Sequence, residues 1–162
     1  MKKNFIHLHL HSEYSISDSL IRIKDLIKES SDNNFPAVAI TDTNNIFSLV
    51  KFYKTAIKNG IKPIIGIEID LKNKGSKNNS SKVVLLCKNM KGFHNLSNLI
   101  TDSYINLDDD NKFYISKEQL AGKSDGLIAL SGGINGDLGN AIKLEKEDLI
   151  EIEGKVDGEF IP

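Results

Sequence analysis

Hydrophobic and polar positions alternate most sharply at the start of the chain. Phe5-Ile6-His7-Leu8-His9-Leu10-His11-Ser12 places an imidazole at every second residue from His7 to His11. That is the period of an extended strand, so His7, His9 and His11 are predicted on one face and Leu8 and Leu10 on the other. Ser17-Asp18-Ser19 then supplies helix-start chemistry. Leu20, Ile23, Leu26 and Ile27 follow at helical spacing, and Asn33-Asn34 ends the run. Ala37-Val38-Ala39-Ile40-Thr41 is apolar almost throughout, as expected of a strand covered on both faces. After Thr43-Asn44-Asn45 a second helix is predicted, with Ile46, Leu49, Val50, Tyr53 and Ile57 as its apolar stripe and Gly60 as its stop.

The same reading continues downstream. Pro63 to Asp70 is predicted as the third strand, with Pro63 at a first position that needs no amide donor. Residues 72–82 are rich in Asn, Ser and Lys and read as a surface loop. Val83 to Cys87 forms the fourth strand. Lys91-Gly92 leads into a helix with Phe93, Leu96, Leu99 and Ile100 inward. An acidic turn at Asp108-Asp109-Asp110 precedes a short helix from Ser116 to Leu120. Gly126 to Ser131 is the fifth strand, closed by Gly132-Gly133, and a helical piece near Leu138 to Leu144 leads into a charged, weakly patterned tail over 143–162.

Alternating strands and helices predict an α/β fold with about five parallel strands, flanking helices and right-handed crossovers. Both a β/α barrel and an open doubly wound sheet fit that pattern, and both gather chemistry at the carboxyl ends of the strands. His9, His11, Asp42, Thr43 and Glu68 fall at or just past such ends. A closed eight-unit barrel takes about 250 residues, so residues 1–162 are expected to form a single partial domain, an incomplete barrel.

Composition narrows the function classes. The 162 residues are 40% hydrophobic and 27% charged, with a formal net charge of −1 and a pI of about 6.4. Such a balance argues against this segment gripping a nucleic-acid backbone by itself, although membership of a larger DNA enzyme stays open. Cys87 is the sole cysteine, so no disulfide can form within the chain, which fits a reducing cytoplasm. No apolar run approaches a membrane span, and Met1-Lys2-Lys3 leads into a strand without a signal-peptide core.

Each candidate site residue has a plainer alternative. Neutral imidazole is a common metal ligand, yet the histidines could simply decorate a half-exposed strand. Asp18 could bind a metal or cap a helix, and spacing favours the cap. Glu68 interrupts the apolar run Ile64 to Ile69, where an ionised carboxylate is costly unless paired or metal-bound. Asp42 suits a turn or capping role, and His94 reads as a surface or half-buried imidazole. Ser131-Gly132-Gly133-Ile134-Asn135-Gly136 lacks the spacing of phosphate-binding and dinucleotide loops and is expected to be a tight turn. Cys87 has no base beside it and is not expected to be a nucleophile. Together, His9, His11, Asp18 and Glu68 would offer nitrogen and carboxylate ligands suited to zinc, manganese or iron, and so to phosphoester hydrolysis if intact.

His9-Leu10-His11-Ser12, followed by Tyr14-Ser15 and Asp18, resembles the first motif of the polymerase and histidinol phosphatase (PHP) superfamily. Ala39-Ile40-Thr41-Asp42, Leu49-Val50-Lys51-Phe52-Tyr53, Gly60 to Gly66 and Gly126 to Gly133 narrow the resemblance to the amino-terminal PHP domains of bacterial DNA polymerase III alpha subunits. The resemblance runs from about Phe5 to about Ile142. It implies a PHP-type β/α barrel, here cut short, without the palm, fingers or thumb that nucleotide polymerisation requires. It also implies that His9, His11, Asp18 and Glu68 stand at positions that bind metal in active members. Two other ligand positions differ: Thr43 follows Asp42 where a histidine is usual, and Lys82 stands where a histidine precedes the fourth strand. A further histidine position near Asn106 is also substituted. The resemblance thus implies a degenerate site, with no cofactor or only weakly bound zinc or manganese, and negligible hydrolysis. The implied partners are the remainder of the polymerase chain and the proofreading exonuclease subunit. DNA would be met only through the full-length polymerase, and no membrane is involved.

Overall fold

The computed structural model describes residues 5–16, 18–72, 80–107, 113–143 and 160–161. Ser17, most of the predicted surface loop (73–79), the acidic turn at 108–110 and nearly all of the charged tail lie outside the described residues. The chain divides into two compact units, Met1–Ile67 and Glu68–Pro162.

In the first unit the histidine segment is extended but is not a regular strand. It lies beside β1 (Ala37–Ile40), with Ala39 N–H donating to His7 O (2.9 Å) and Thr41 N–H to Leu10 O (2.8 Å). The Thr41 hydroxyl replaces a ladder rung, accepting from Leu10 N–H and donating to Leu10 O. A side chain that satisfies both backbone groups of Leu10 removes the need for a continuous ladder. All four residues of β1 are buried, as an apolar run predicts, and β1 pairs in parallel with the first part of β2 (Lys62–Lys72), Ala37 opposite Lys62.

Helix α1 (Ile23–Asp32) starts later than the sequence suggests, with Arg22 at its N-cap and no capping side chain. Asp18 is therefore not a cap. The segment before the helix is engaged elsewhere: the Ser19 hydroxyl donates to His11 O (2.8 Å) and accepts from Ile21 N–H (3.1 Å). Leu20, expected on the apolar stripe, is 96% exposed. Ile23, Leu26 and Ile27 do face inward and pack with Val38, Ile40, Phe52, Ala56 and Ile61, while Leu10 and Tyr14 cover this cluster in part. Full burial of Phe52 alone contributes about 2–3 kcal/mol. Asn34 at φ +57° and Gly60 at φ +72° end α1 and α2 in left-handed conformations, as their residue types allow.

Helix α2 (Leu49–Lys58) corrects the predicted stripe. Its buried residues are Phe52 and Ala56, whereas Val50, Tyr53 and Ile57 face solvent. The helix is apolar on two adjoining arcs, and the periodicity does not say which one the core takes.

In the second unit, the later part of β2 buries Glu68, Ile69 and Leu71. Its sheet order continues through β3 (Ser80–Cys87) and β5 (Leu127–Leu130) to β6 (Phe160–Ile161), and β4 (Ile115–Ser116) pairs with β2 off that path. Pairing is parallel for β2–β4 and β5–β6 but antiparallel for β3–β5, with Val84 opposite Leu130. The expected α/β class with mostly parallel strands and flanking helices holds, and the antiparallel β3–β5 pair is the exception. Residues 73–79, between β2 and β3, are fewer than the dozen or so that a parallel crossover takes.

Helix α3 (Met90–Ile105) is capped by Asn89, whose side chain accepts from Gly92 N–H at 3.0 Å, and it buries Leu96 and Leu99 as predicted. Helix α4 (Lys117–Gly122) opens on a reciprocal capping box between Ser116 and Gln119. A 3₁₀ turn (Gly133–Asn135) then leads to α5 (Asp137–Lys143).

Candidate metal centre

Alternation does bring two of the three clustered histidines together. In the first unit His9 Nε2 and His11 Nε2 lie 3.3 Å apart, with ring centroids at 5.1 Å. That distance lets one ring donate its N–H to the lone pair of the other, which requires at least one neutral imidazole. Leu10, between them, points to the core and fixes the outward aim of both. His7 goes elsewhere: its ring packs edge-on against Phe5 (4.6 Å) and Phe35 (5.5 Å). Phe35 is remote in sequence, so the local pattern could not separate His7 from its neighbours.

His9 and His11 border an open groove of about 340 Å³, lined also by Leu10, Asp18, Ser19 and Ile21. Asp18 is exposed there, and its Oδ2 accepts from the Thr43 hydroxyl at 3.0 Å. In the second unit Glu68 is buried, its side chain 5% exposed, and Lys82 of the neighbouring strand β3 forms an ion pair with it. The cost of placing an ionised carboxylate in an apolar strand is thus offset by an ammonium group.

The residue that organises the histidine loop is Asp42, which the sequence offered as a strand-end candidate with a turn or capping role as its plainer alternative. It is 1% exposed. Its carboxylate accepts from Ser12 N–H (2.6 Å), from the Ser12 hydroxyl (2.9 Å to each oxygen) and from the Ser15 hydroxyl (2.8 Å). Ser15 Oγ in turn accepts from Thr43 N–H at 3.0 Å. Asp42 thereby clamps residues 12–15, immediately after His11, onto the end of β1. A possible signal lay in the two serines set three apart just after the histidines, opposite a carboxylate at a strand end.

The remaining candidates take their plainer roles. The glycine-rich loop is a tight turn: Gly132 sits at φ +71°, and a Cβ there would lie 2.0 Å from the Lys82 carbonyl oxygen. His94 is exposed on α3. Burial pushes the Cys87 thiol up to about 12, which leaves it protonated and unreactive near neutral pH. Among the described residues no helix is long and apolar enough to cross a membrane.

With this geometry in place, comparison with known proteins decides the family. Residues 7–159 match the PHP domain. The chain belongs to the PHP domain family.

This PHP chain is 44% identical over 142 residues to DNA polymerase III subunit alpha of Pseudomonas fluorescens, covering 88% of the chain and 12% of that protein. It is 41% identical over 149 residues to the same subunit of Buchnera aphidicola from Acyrthosiphon pisum, covering 91% of the chain and 13% of the relative. The PHP chain thus spans about an eighth of the length of these relatives. Among solved structures, an amidohydrolase from Chromobacterium violaceum aligns with a TM-score of 0.48 at 20% identity, over 62% of this chain and 33% of its own.

Proposed function

We propose that this PHP domain works in DNA replication as the amino-terminal module of a cytoplasmic DNA polymerase III alpha subunit, a structural and docking element with a degenerate metal site. The observation that carries this reading is the fate of the two surviving carboxylates. Asp18 is bound by Thr43 and Glu68 by Lys82, and Thr43 and Lys82 stand at two of the three positions where the resemblance implies a histidine and this chain has another residue. A carboxylate already neutralised by a fixed ammonium gives a divalent ion little to gain and a charge to displace. His9, His11, Asp18 and Glu68 are then the remnant of a ligand set. Their donors suit zinc or manganese, but this environment would hold either ion weakly.

The relatives support placement within a replicative polymerase. On this reading the domain's partners are the remainder of the polymerase chain and a proofreading exonuclease subunit, and DNA is met through the full-length polymerase. The competing reading, an active phosphoesterase, draws on the converging His9 and His11 rings.

One experiment separates the two. Protein purified without chelator is analysed for bound metals and assayed with p-nitrophenyl phosphate and added manganese. The scaffold reading expects far less than one metal per chain and no turnover above background. Two or more tightly held metals, with turnover abolished in His9→Ala, would overturn it.

A further inference from the structure

The outward face of α2 departs from the predicted burial at three helical positions. Val50, Tyr53 and Ile57 follow one another at i, i+3 and i+7 and are 61%, 51% and 55% exposed, and Phe47, just before the helix, is 69% exposed. At 100° per residue these three helical positions span about 60° of arc, beside the arc that carries Phe52 and Ala56 into the core. On their other side, Lys54, Lys58 and Lys51 occupy the next arc, all exposed. Lys51 pairs with Glu13 at 2.7 Å. Lys54 and Lys58 have no acidic partner among the described residues. The face is therefore an apolar strip bordered by three lysines, of which Lys51 is paired with Glu13 and Lys54 and Lys58 have no acidic partner among the described residues.

We propose that this face docks an acidic amphipathic helix of a partner protein. The partner would lay its apolar stripe on Val50, Tyr53 and Ile57 and set Asp or Glu side chains against Lys54 and Lys58. The inference rests on the reading of the domain as a docking module and assigns that module its contact surface. Charge decides the class of occupant. Helix α2 contains no acidic residue, so the same face of a second copy offers it no complementary charge. A membrane fits less well, because the strip is one short helix on a chain of net charge −1.

The test is photocrosslinking in the host cell, with benzoylphenylalanine placed at Tyr53 of the full chain and the joined peptides sequenced by mass spectrometry. The expected product is a segment of a different protein with helical apolar spacing and Asp or Glu on its flank. Its yield should fall about ten-fold in Lys54→Glu/Lys58→Glu, and it should be unchanged in Lys24→Glu/Lys28→Glu on α1. Thermal melts matching the parent verify that each variant is folded. Crosslinks only to lipid, to another copy, to another part of the same polypeptide or to a basic segment would overturn the proposal. So would the absence of a crosslink, or a yield indifferent to the α2 charge reversal. The outcome is independent of metal content and phosphatase turnover, so this surface can fail while the scaffold reading stands.

Discussion

Replacing Asp42 tests whether a single buried carboxylate holds the loop that follows His11. In Asp42→Ala three buried donors lose their acceptor: the Ser12 amide, the Ser12 hydroxyl and the Ser15 hydroxyl. A hydrogen bond to a charged group contributes about 1.5–3 kcal/mol, so the gross loss is roughly 4–9 kcal/mol. Three effects reduce it. The hydroxyls can rotate to other acceptors, water can enter the space left behind, and the variant no longer buries a charge. A net cost of about 3 kcal/mol is expected for alanine, and about half of that for Asp42→Asn, which keeps one acceptor oxygen. Against a typical total stability of about 5–15 kcal/mol this is a large fraction. With a urea slope near 2 kcal/mol/M the midpoint should fall by about 1.5 M in the alanine variant. Far-UV circular dichroism is the suitable probe, because the chain has no tryptophan. Asp18→Ala, which removes an exposed carboxylate from the groove that His9 and His11 border, serves as control and should cost less than about 1 kcal/mol. An Asp42→Asn protein as stable as the parent, or an Asp18→Ala protein less stable than Asp42→Ala, would refute the clamp.

Further predictions concern the second unit. Lys82→Met should cost about 2 kcal/mol in urea unfolding, because Glu68 is left buried without its cation, and adding Glu68→Leu should restore most of that loss. Gly132→Ala should destabilise by about 3 kcal/mol, since the new Cβ meets backbone at a left-handed position; Gly133→Ala, also left-handed but in open space, should cost about 1 kcal/mol. Equal midpoint shifts for the two would contradict this packing. Cys87 should react with Ellman's reagent at pH 8 at least about a hundred-fold more slowly in the folded protein than in denaturant, because a thiol near 12 is about one part in ten thousand thiolate there. The fold favours the protonated thiol, so this contribution to stability is whole below about pH 9 and is lost as pH rises from 9 towards 12.

Local patterns sufficed for several features. The buried strand Ala37–Ile40, the inward face of α3, the left-handed stops at Asn34 and Gly60 and the tight glycine turn each depend on a few neighbouring residues and on steric rules that act over one turn. The convergence of His9 and His11 belongs with them, because an extended backbone sets their spacing. The short link between β2 and β3 is itself a local sign that β3 does not continue a parallel crossover.

What the amino-acid order determined alone, then, was most of the helices and longer strands, the pairing of two histidines and the family motifs that embrace them. Tertiary structure decided which apolar arc of α2 is covered, that His7 packs edge-on against Phe35 instead of joining the site, and that Asp42 clamps the loop. It also decided that Thr43 and Lys82 bind the carboxylates of Asp18 and Glu68. The physical reason is the same throughout. Periodicity reports the geometry of one segment, whereas burial, ion pairing and hydrogen bonding between remote residues exist only once chain closure has brought those groups together.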